Sequence, residues 1–336
     1  MSSQGPSPAL FFETITAFHR TEALRSAIEL DLFTKVGAGQ RTAAQIASAC
    51  QASPRGIRIL ADYLTILGFL NKHNDQYELT PDAEVFLNRN SSAYLGGAAE
   101  FLLTPQLREC FHRLTTAVRR GGTAISEEGT VSYDNPIWVE FARTMAPLMQ
   151  LPARLLANRI GGDLQAPLRV LDVAAGHGIF GITIAQIYPQ SKVTALDWPN
   201  VLAVATENAK RAGIADRHSL LEGSAFEADW GGPYDIVLLT NFLHHFDVPT
   251  CRQLAAKTFA ALAPGGRALT VEFVPNADRV SPPSTATFAL TMLASTAQGD
   301  AYTFAEYEKI FAEAGFSRSE FHPLPPTNQQ AVVSHK

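Results

Sequence analysis

Two aspartates each close a short apolar run and stand before a helix-like pattern. Asp172 falls in LRVLDV, just ahead of a loop that carries Gly176, Gly178 and Gly181. Asp197 ends VTALD, about twenty residues past that loop, and Trp198-Pro199 follows it. An acid at the end of an apolar strand is a costly structural choice, because it buries charge near a sheet. Two of them at successive strand ends point to a bound ligand. The three glycines spell GxGxxG, the dinucleotide fingerprint, and let backbone approach a ligand at a helix N-terminus. A dinucleotide enzyme, however, puts its first glycine directly at the strand end. Here Asp172 and two alanines intervene. A carboxylate repels a pyrophosphate and attracts an ammonium group, and an acid at the position of Asp197 can take both ribose hydroxyls. The pair fits a ligand with an adenosine end and an amino-acid end, S-adenosyl-L-methionine.

A second group could move a proton. The apolar run DIVLLTNFLHHF leaves Asn241, His244 and His245 at its end, and ALTVEF leaves Glu272 after a Pro264-Gly265-Gly266 turn. A phenol, with a pKa near about 10, is a poor nucleophile at neutral pH, and an imidazole, ordinarily near about 6.5, suits a general base. From the residues alone either histidine could serve. No cysteine or third histidine follows at ligand spacing, so no metal site is expected. Gly223-Ser224-Ala225-Phe226 lies after another strand, and Phe226 there could pack on a purine face. Phe141, Met145 and Met149 recur at i, i+4 and i+8, which is either plain core or one wall of a pocket for a flat substrate.

These residues need a scaffold. Short apolar runs at 168–173, 192–196, 234–240 and 267–273 alternate with helical patterns at 179–188, 199–212 and 250–263. The alternation predicts an α/β, Rossmann-like doubly wound, mostly parallel sheet. A helix over 302–315 and two closing segments predict an antiparallel last strand pair. Before this lies a mainly helical region. Residues 11–34 carry a helix-period stripe that includes Phe12, Ile15, Phe18, Ala27, Ile28 and Leu32. Thr42 caps a short helix, Ser53-Pro54 opens another, and LNKHNDQYELT reads as a hairpin around Asn-Asp. Helices followed by a small hairpin make a winged-helix pattern. Farther on, 122–136 reads as a loop, and Asn135-Pro136 starts a long helix interrupted by Pro147 and Pro152. The expected boundaries are 1–100 for the winged-helix domain, 101–160 for linking and pocket helices, and 161–336 for the α/β domain.

Composition narrows the class. The 336 residues are 46% hydrophobic and 18% charged, with a net charge of −5, an ordinary globular balance without a broad basic surface. Residues 1–90 carry 8 Lys+Arg against 9 Asp+Glu, which argues against DNA reading by the winged helix and for an interface between two copies. Three scattered cysteines form no disulfide framework and fit a reducing cytoplasm. Neither a signal peptide nor a membrane span is expected.

Taken together, DVAAGHG, ALDWPN, GSAF, NFLHHFD, PGGRALTVEF and TFAEYEKIFAEAGF make the chain resemble the class I S-adenosylmethionine-dependent methyltransferases. More narrowly, it resembles the small-molecule O-methyltransferases that join a winged-helix dimerisation domain to a catalytic domain, such as plant caffeic-acid and isoflavone enzymes and bacterial polyketide enzymes. The resemblance implies a homodimer and a cofactor set of Asp172, Gly176, Gly178, Asp197, Trp198, Ser224, Ala225, Phe226 and Asn241. It implies His244 as general base, with Glu272, 28 residues on, orienting it. It leaves Phe141, Met145, Met149 and Met292 as candidates for the substrate wall. Three positions depart from the family pattern. Ser224 replaces an aspartate, Ala301 replaces a second acid, and Thr240 replaces a lysine. Competing readings are methyl transfer to nitrogen or carbon, a dinucleotide oxidoreductase, and a winged-helix regulator that senses a small molecule.

Overall fold

The computed structural model describes residues 5–126 and 137–336. The expected helix start at Asn135-Pro136 and much of the expected loop before it lie outside the described residues. The described chain forms two compact units, one ending at Ala99 and one beginning at Glu100.

The first unit opens with three helices, Ala9–Ile15, Phe18–Glu29 and Leu32–Gly37, where the apolar stripe predicts a continuous pattern. Asp31, at φ 55°, turns the chain ahead of Leu32. Burial divides the stripe too. Ala27, Ile28 and Leu32 lie in the core, whereas Phe12, Ile15 and Phe18 are 59%, 59% and 61% exposed. Thr42 and Gln45 form a reciprocal capping box on the helix Ala43–Ala49. Ser53 accepts from the Gly56 N–H, with Pro54 in the first turn of the helix Pro54–Ile66. That helix turns Ile57, Ala61 and Leu64 toward Phe33, Leu70 and Tyr77. Strands β1 (Leu70–His73) and β2 (Gln76–Leu79) pair across Asn74-Asp75, whose positive φ values of 47° and 63° suit a two-residue hairpin turn.

The second unit is built on seven strands: β3 (Arg169–Val173), β4 (Lys192–Asp197), β5 (His218–Glu222), β6 (Tyr234–Thr240), β7 (Leu262–Glu272), β8 (Arg318–Pro323) and β9 (Gln330–His335). Their order is β5-β4-β3-β6-β7-β9-β8. Strands β3 to β7 run parallel, and β9 pairs antiparallel with β7 and with β8. Buried runs in β3, β6 and β7 follow from helices covering the sheet. Because β3 pairs with both β4 and β6, the winding reverses there, and such a switch point opens a crevice at the strand ends. The expected Pro264-Gly265-Gly266 turn is instead a bulge within β7. Tyr234 pairs with Leu262, Ile236 pairs with Arg267, and Gly265 takes φ 75°. The expected long helix is two, Ile137–Thr144 and Ala146–Ala157, with Pro147 in the first turn of the second and Pro152 inside it. No described helix is long and apolar enough to cross a membrane.

Candidate active site

The crevice at the ends of β3, β4 and β6 is a cavity of about 650 Å³. Its floor is the glycine loop. Ala174, Gly176 and Gly178 all take positive φ (51°, 57° and 71°), and Gly178 caps the helix Ile179–Ile187. A Cβ on Gly181 would come within 2.7 Å of Val193 Cγ1 and 2.9 Å of Asp172 Oδ2, so this glycine serves helix-on-sheet packing.

Asp197 lines the cavity. Its carboxylate accepts the Gly176 N–H at 2.8 Å and the Trp198 N–H at 2.7 Å, which ties the loop to the end of β4. Burial outweighs those bonds and holds its pKa up at about 6. Asp172 is placed differently from what an ammonium partner requires. It is 1% exposed and is not among the cavity-lining residues. Its Oδ2 accepts the Gly181 N–H at 3.0 Å. Burial, against that bond and reinforced by the charge of Asp197, raises its pKa to about 7. Among the described residues, Asp172 braces the loop from behind.

Of the other residues predicted to hold cofactor, Gly176, Trp198, Ser224, Ala225, Phe226 and Asn241 line the cavity, and Gly178 does not. Ser224 Oγ accepts the Phe226 N–H at 3.1 Å, and the Phe226 ring meets Phe246 edge-on at 5.2 Å. Lys257, with no local signal in the sequence, fixes this segment from the helix Val248–Ala261. Its ammonium donates to the carbonyls of Ala225, Phe226 and Ala228 at 3.0, 2.9 and 2.7 Å.

His244 and Glu272 meet behind the cavity-lining residues Asn241, Phe242 and His245, and neither of the two lines the cavity itself. Both are buried, and His244 Nδ1 hydrogen-bonds Glu272 Oε2. Glu272 Oε1 accepts the Phe242 and Leu243 N–H groups at 3.0 and 2.8 Å. One carboxylate thus holds both the turn and the ring, leaving Nε2 as the basic nitrogen of His244. The edge of Phe288 lies 4.8 Å from the imidazole, between ring centroids. His245 faces the cavity instead, and burial together with the neighbouring His244 pushes its pKa well below the usual imidazole range. Asp300 does not stand in for the acid missing at Ala301, since its carboxylate pairs with Arg279 at 3.3 Å.

The expected substrate wall is only partly assembled. Phe141 lines the cavity, whereas Met145, Met149 and Met292 are buried and do not. The Met145 N–H still bonds the Phe141 carbonyl at 2.9 Å and the Met149 N–H bonds the Met145 carbonyl at 3.2 Å, so the three residues keep one helical face, and only its Phe141 end reaches the cavity. Met149 is taken up by Asn241, whose Nδ2 donates to its Sδ at 3.5 Å. Met292 is a buried residue of the helix Phe288–Ser295. Trp138 and His177 line the cavity and were not singled out by the sequence. Their signal is Trp138 three residues before Phe141 and His177 between two loop glycines.

Comparison with known proteins decides the family. The family described as the O-methyltransferase domain matches residues 111–317, and the O-methyltransferase dimerisation domain matches residues 12–89. The chain belongs to the O-methyltransferase family. This methyltransferase is 29% identical over 316 residues to a 3-hydroxy-5-methyl-1-naphthoate 3-O-methyltransferase of Streptomyces sahachiroi, covering 92% of the chain and 90% of the relative. It is 30% identical over 326 residues to acetylserotonin O-methyltransferase of Mus musculus, covering 90% and 81%. A crystal structure from Nostoc punctiforme, assigned as an O-methyltransferase, is 49% identical with a TM-score of 0.95, covering 99% and 100%. Human N-acetylserotonin methyltransferase, solved with S-adenosylmethionine, shares the fold at 22% identity and a TM-score of 0.86, covering 100% and 99%. The methyltransferase uses S-adenosyl-L-methionine. Its cavity suits that group on its own terms, with a carboxylate held between two backbone N–H groups, a glycine loop and an aromatic end at Phe226.

Proposed function

We propose that this methyltransferase acts on a hydroxyl of a small, flat, phenolic or enolic molecule of the secondary-metabolite kind, with His244 as general base. The observation that carries this reading is the buried His244–Glu272 pair, whose carboxylate is itself fixed by two backbone N–H groups. Glu272 accepts the Nδ1 proton, sets the tautomer and stabilises the imidazolium that forms when Nε2 takes the acceptor's proton. Asp197 receives the ribose hydroxyls, Gly176 and Asn241 flank the amino-acid end, and Ser224 to Phe226 with Trp198 enclose the adenine. When bound, the cofactor supplies a methyl already activated on a sulfonium, so the chain's work is to align the acceptor and remove its proton. The naphthoate and acetylserotonin relatives support a flat bicyclic aromatic substrate.

The test is S-adenosylhomocysteine formation across a panel of naphthols, hydroxyindoles and their amine analogues. Turnover with the hydroxyl compounds, lost in His244→Ala with cofactor affinity kept, is the expected result. A His244→Ala enzyme that turns over normally refutes the assignment. The same reading includes a homodimer formed through the N-terminal unit, whose exposed Phe12, Ile15 and Phe18 lie within or beside the helices matched to the dimerisation domain. Sedimentation equilibrium showing a monomer at micromolar concentration would overturn that part.

A further inference from the structure

We propose that Trp138, Phe141, His177 and His245 form an aromatic box that reads the positive charge on the donor sulfur, so that the enzyme binds the cationic methyl donor more tightly than its neutral product. The inference rests on the placement of the cofactor between the glycine loop and Asn241 given above.

All four rings line the cavity. The helix Ile137–Thr144 presents Trp138 and Phe141 on one face, three residues apart. Phe141 lies nearly parallel to His177, 5.9 Å between centroids at 20°, and its Cε1 is 3.7 Å from where a Cβ on Gly176 would stand. Trp138 meets Phe141 edge-on at 5.7 Å and His245 edge-on at 5.2 Å. Phe101 backs Phe141 at 5.1 Å. The rings therefore run unbroken from the glycine loop to the turn that carries His244, and the transferred methyl must cross that span.

Carboxylates do not serve the sulfur there. Asp172 is sealed behind the loop, and both oxygens of Asp197 already hold backbone N–H groups at the ribose position. Glu227 and Asp247 also line the cavity, next to Phe226 and Phe246, and Asp247 is engaged as the cap of the helix Val248–Ala261, its Oδ1 accepting the Thr250 N–H at 2.9 Å. The four rings give this wall the π surface that a cation can use. The two imidazoles do not oppose it. His177 Nδ1 accepts the Ile179 N–H at 3.1 Å, as a neutral ring must, and burial holds its pKa down at about 4. His245 is likewise held neutral. Methyl transfer breaks the sulfur–carbon bond and leaves its electron pair on sulfur. The charge vanishes, and with it the hold of the box on the product.

The test is calorimetric binding of S-adenosylmethionine, S-adenosylhomocysteine and sinefungin, which carries an ammonium in place of the sulfonium. Phe141→Leu and Trp138→Leu, which keep bulk without a π face, should raise Kd for both cations by about 5- to 10-fold and for S-adenosylhomocysteine by less than about 2-fold. Phe141→Tyr should behave as the unmodified protein and guards against loss by misfolding. Equal weakening of all three ligands, or no change, overturns the box. An unmodified protein that binds none of the three overturns the cofactor placement on which the box rests.

Discussion

Replacing Glu272 with Gln isolates the charge of that residue from its hydrogen bonds. The amide oxygen can keep the two backbone donors, Phe242 N–H and Leu243 N–H, that Oε1 now holds. The amide nitrogen then faces His244 Nδ1 as a donor. The imidazole must present a lone pair at Nδ1 and carry its proton on Nε2, which is the wrong tautomer for a base. We expect kcat to fall by about 10²- to 10⁴-fold, or about 3–5 kcal/mol of barrier. Cofactor affinity should hold, because Glu272 does not line the cavity. Thermal stability should hold too, because no buried N–H loses its acceptor. Glu272→Ala makes the contrast. It strips two N–H groups of their acceptor, at about 1–3 kcal/mol each, and should lower the melting temperature as well as the rate. The assay is initial-rate S-adenosylhomocysteine formation, with Kd by calorimetry and melting by circular dichroism. A Glu272→Gln enzyme within about threefold of the unmodified rate, or one that loses cofactor affinity in step with kcat, refutes the reasoning.

Asp197 should make cofactor binding pH-dependent. As pH falls through about 6 the carboxyl takes a proton and loses its capacity to accept the ribose hydroxyls, so Kd should rise by up to about tenfold per pH unit below that point. Asp197→Asn should bind weakly with a flat profile, and a steep profile in that variant would count against Asp197. The raised pKa also means that Asp197 favours the folded, ligand-free chain at low pH, an advantage lost as pH rises from about 4 through about 6. Lys257→Met releases three carbonyls behind Phe226 and should raise KM for S-adenosylmethionine on the order of tenfold while leaving kcat nearly unchanged, with Lys257→Arg restoring part of the affinity. A fall in kcat alone would argue against that role. Gly181→Ala should cost about 1–3 kcal/mol by overpacking against Val193 and Asp172, and a melting temperature unchanged by the substitution would show that the contact yields.

The sheet was legible because strands covered on both faces must be apolar runs, and the hairpin at Asn74-Asp75 because few residues accept φ near 50° to 60°. The juxtaposition of His244 with Glu272 was legible only through a resemblance, since 28 residues of spacing carry no geometry. Other features depend on tertiary placement. A strand-end acid can face a ligand or a helix, and the N–H of Gly181 turns Asp172 to the helix. The methionine stripe misled because helical spacing says which side chains share a face and not whether that face meets cavity or core, and here Phe141 meets the cavity while Met145 and Met149 are buried away from it. Lys257 gives no warning, because its three acceptors lie about thirty residues away in the chain.

The irregular stretch at Pro264-Gly265-Gly266 has a bearing on how freely this chain can drift. Beyond Arg267 the register is set by neighbours on both sides, Ile236 in β6 and His335 in β9, and Glu272 inherits its facing from that parity. Five residues of β7 cover two of β6 before that point, so a residue gained or lost there is absorbed as a wider or narrower bulge. The same change between Arg267 and Glu272 would turn the carboxylate to the opposite side of the sheet. Length change should therefore cost less before Arg267 than after it, which would shield the proton-handling pair from changes in the preceding helix.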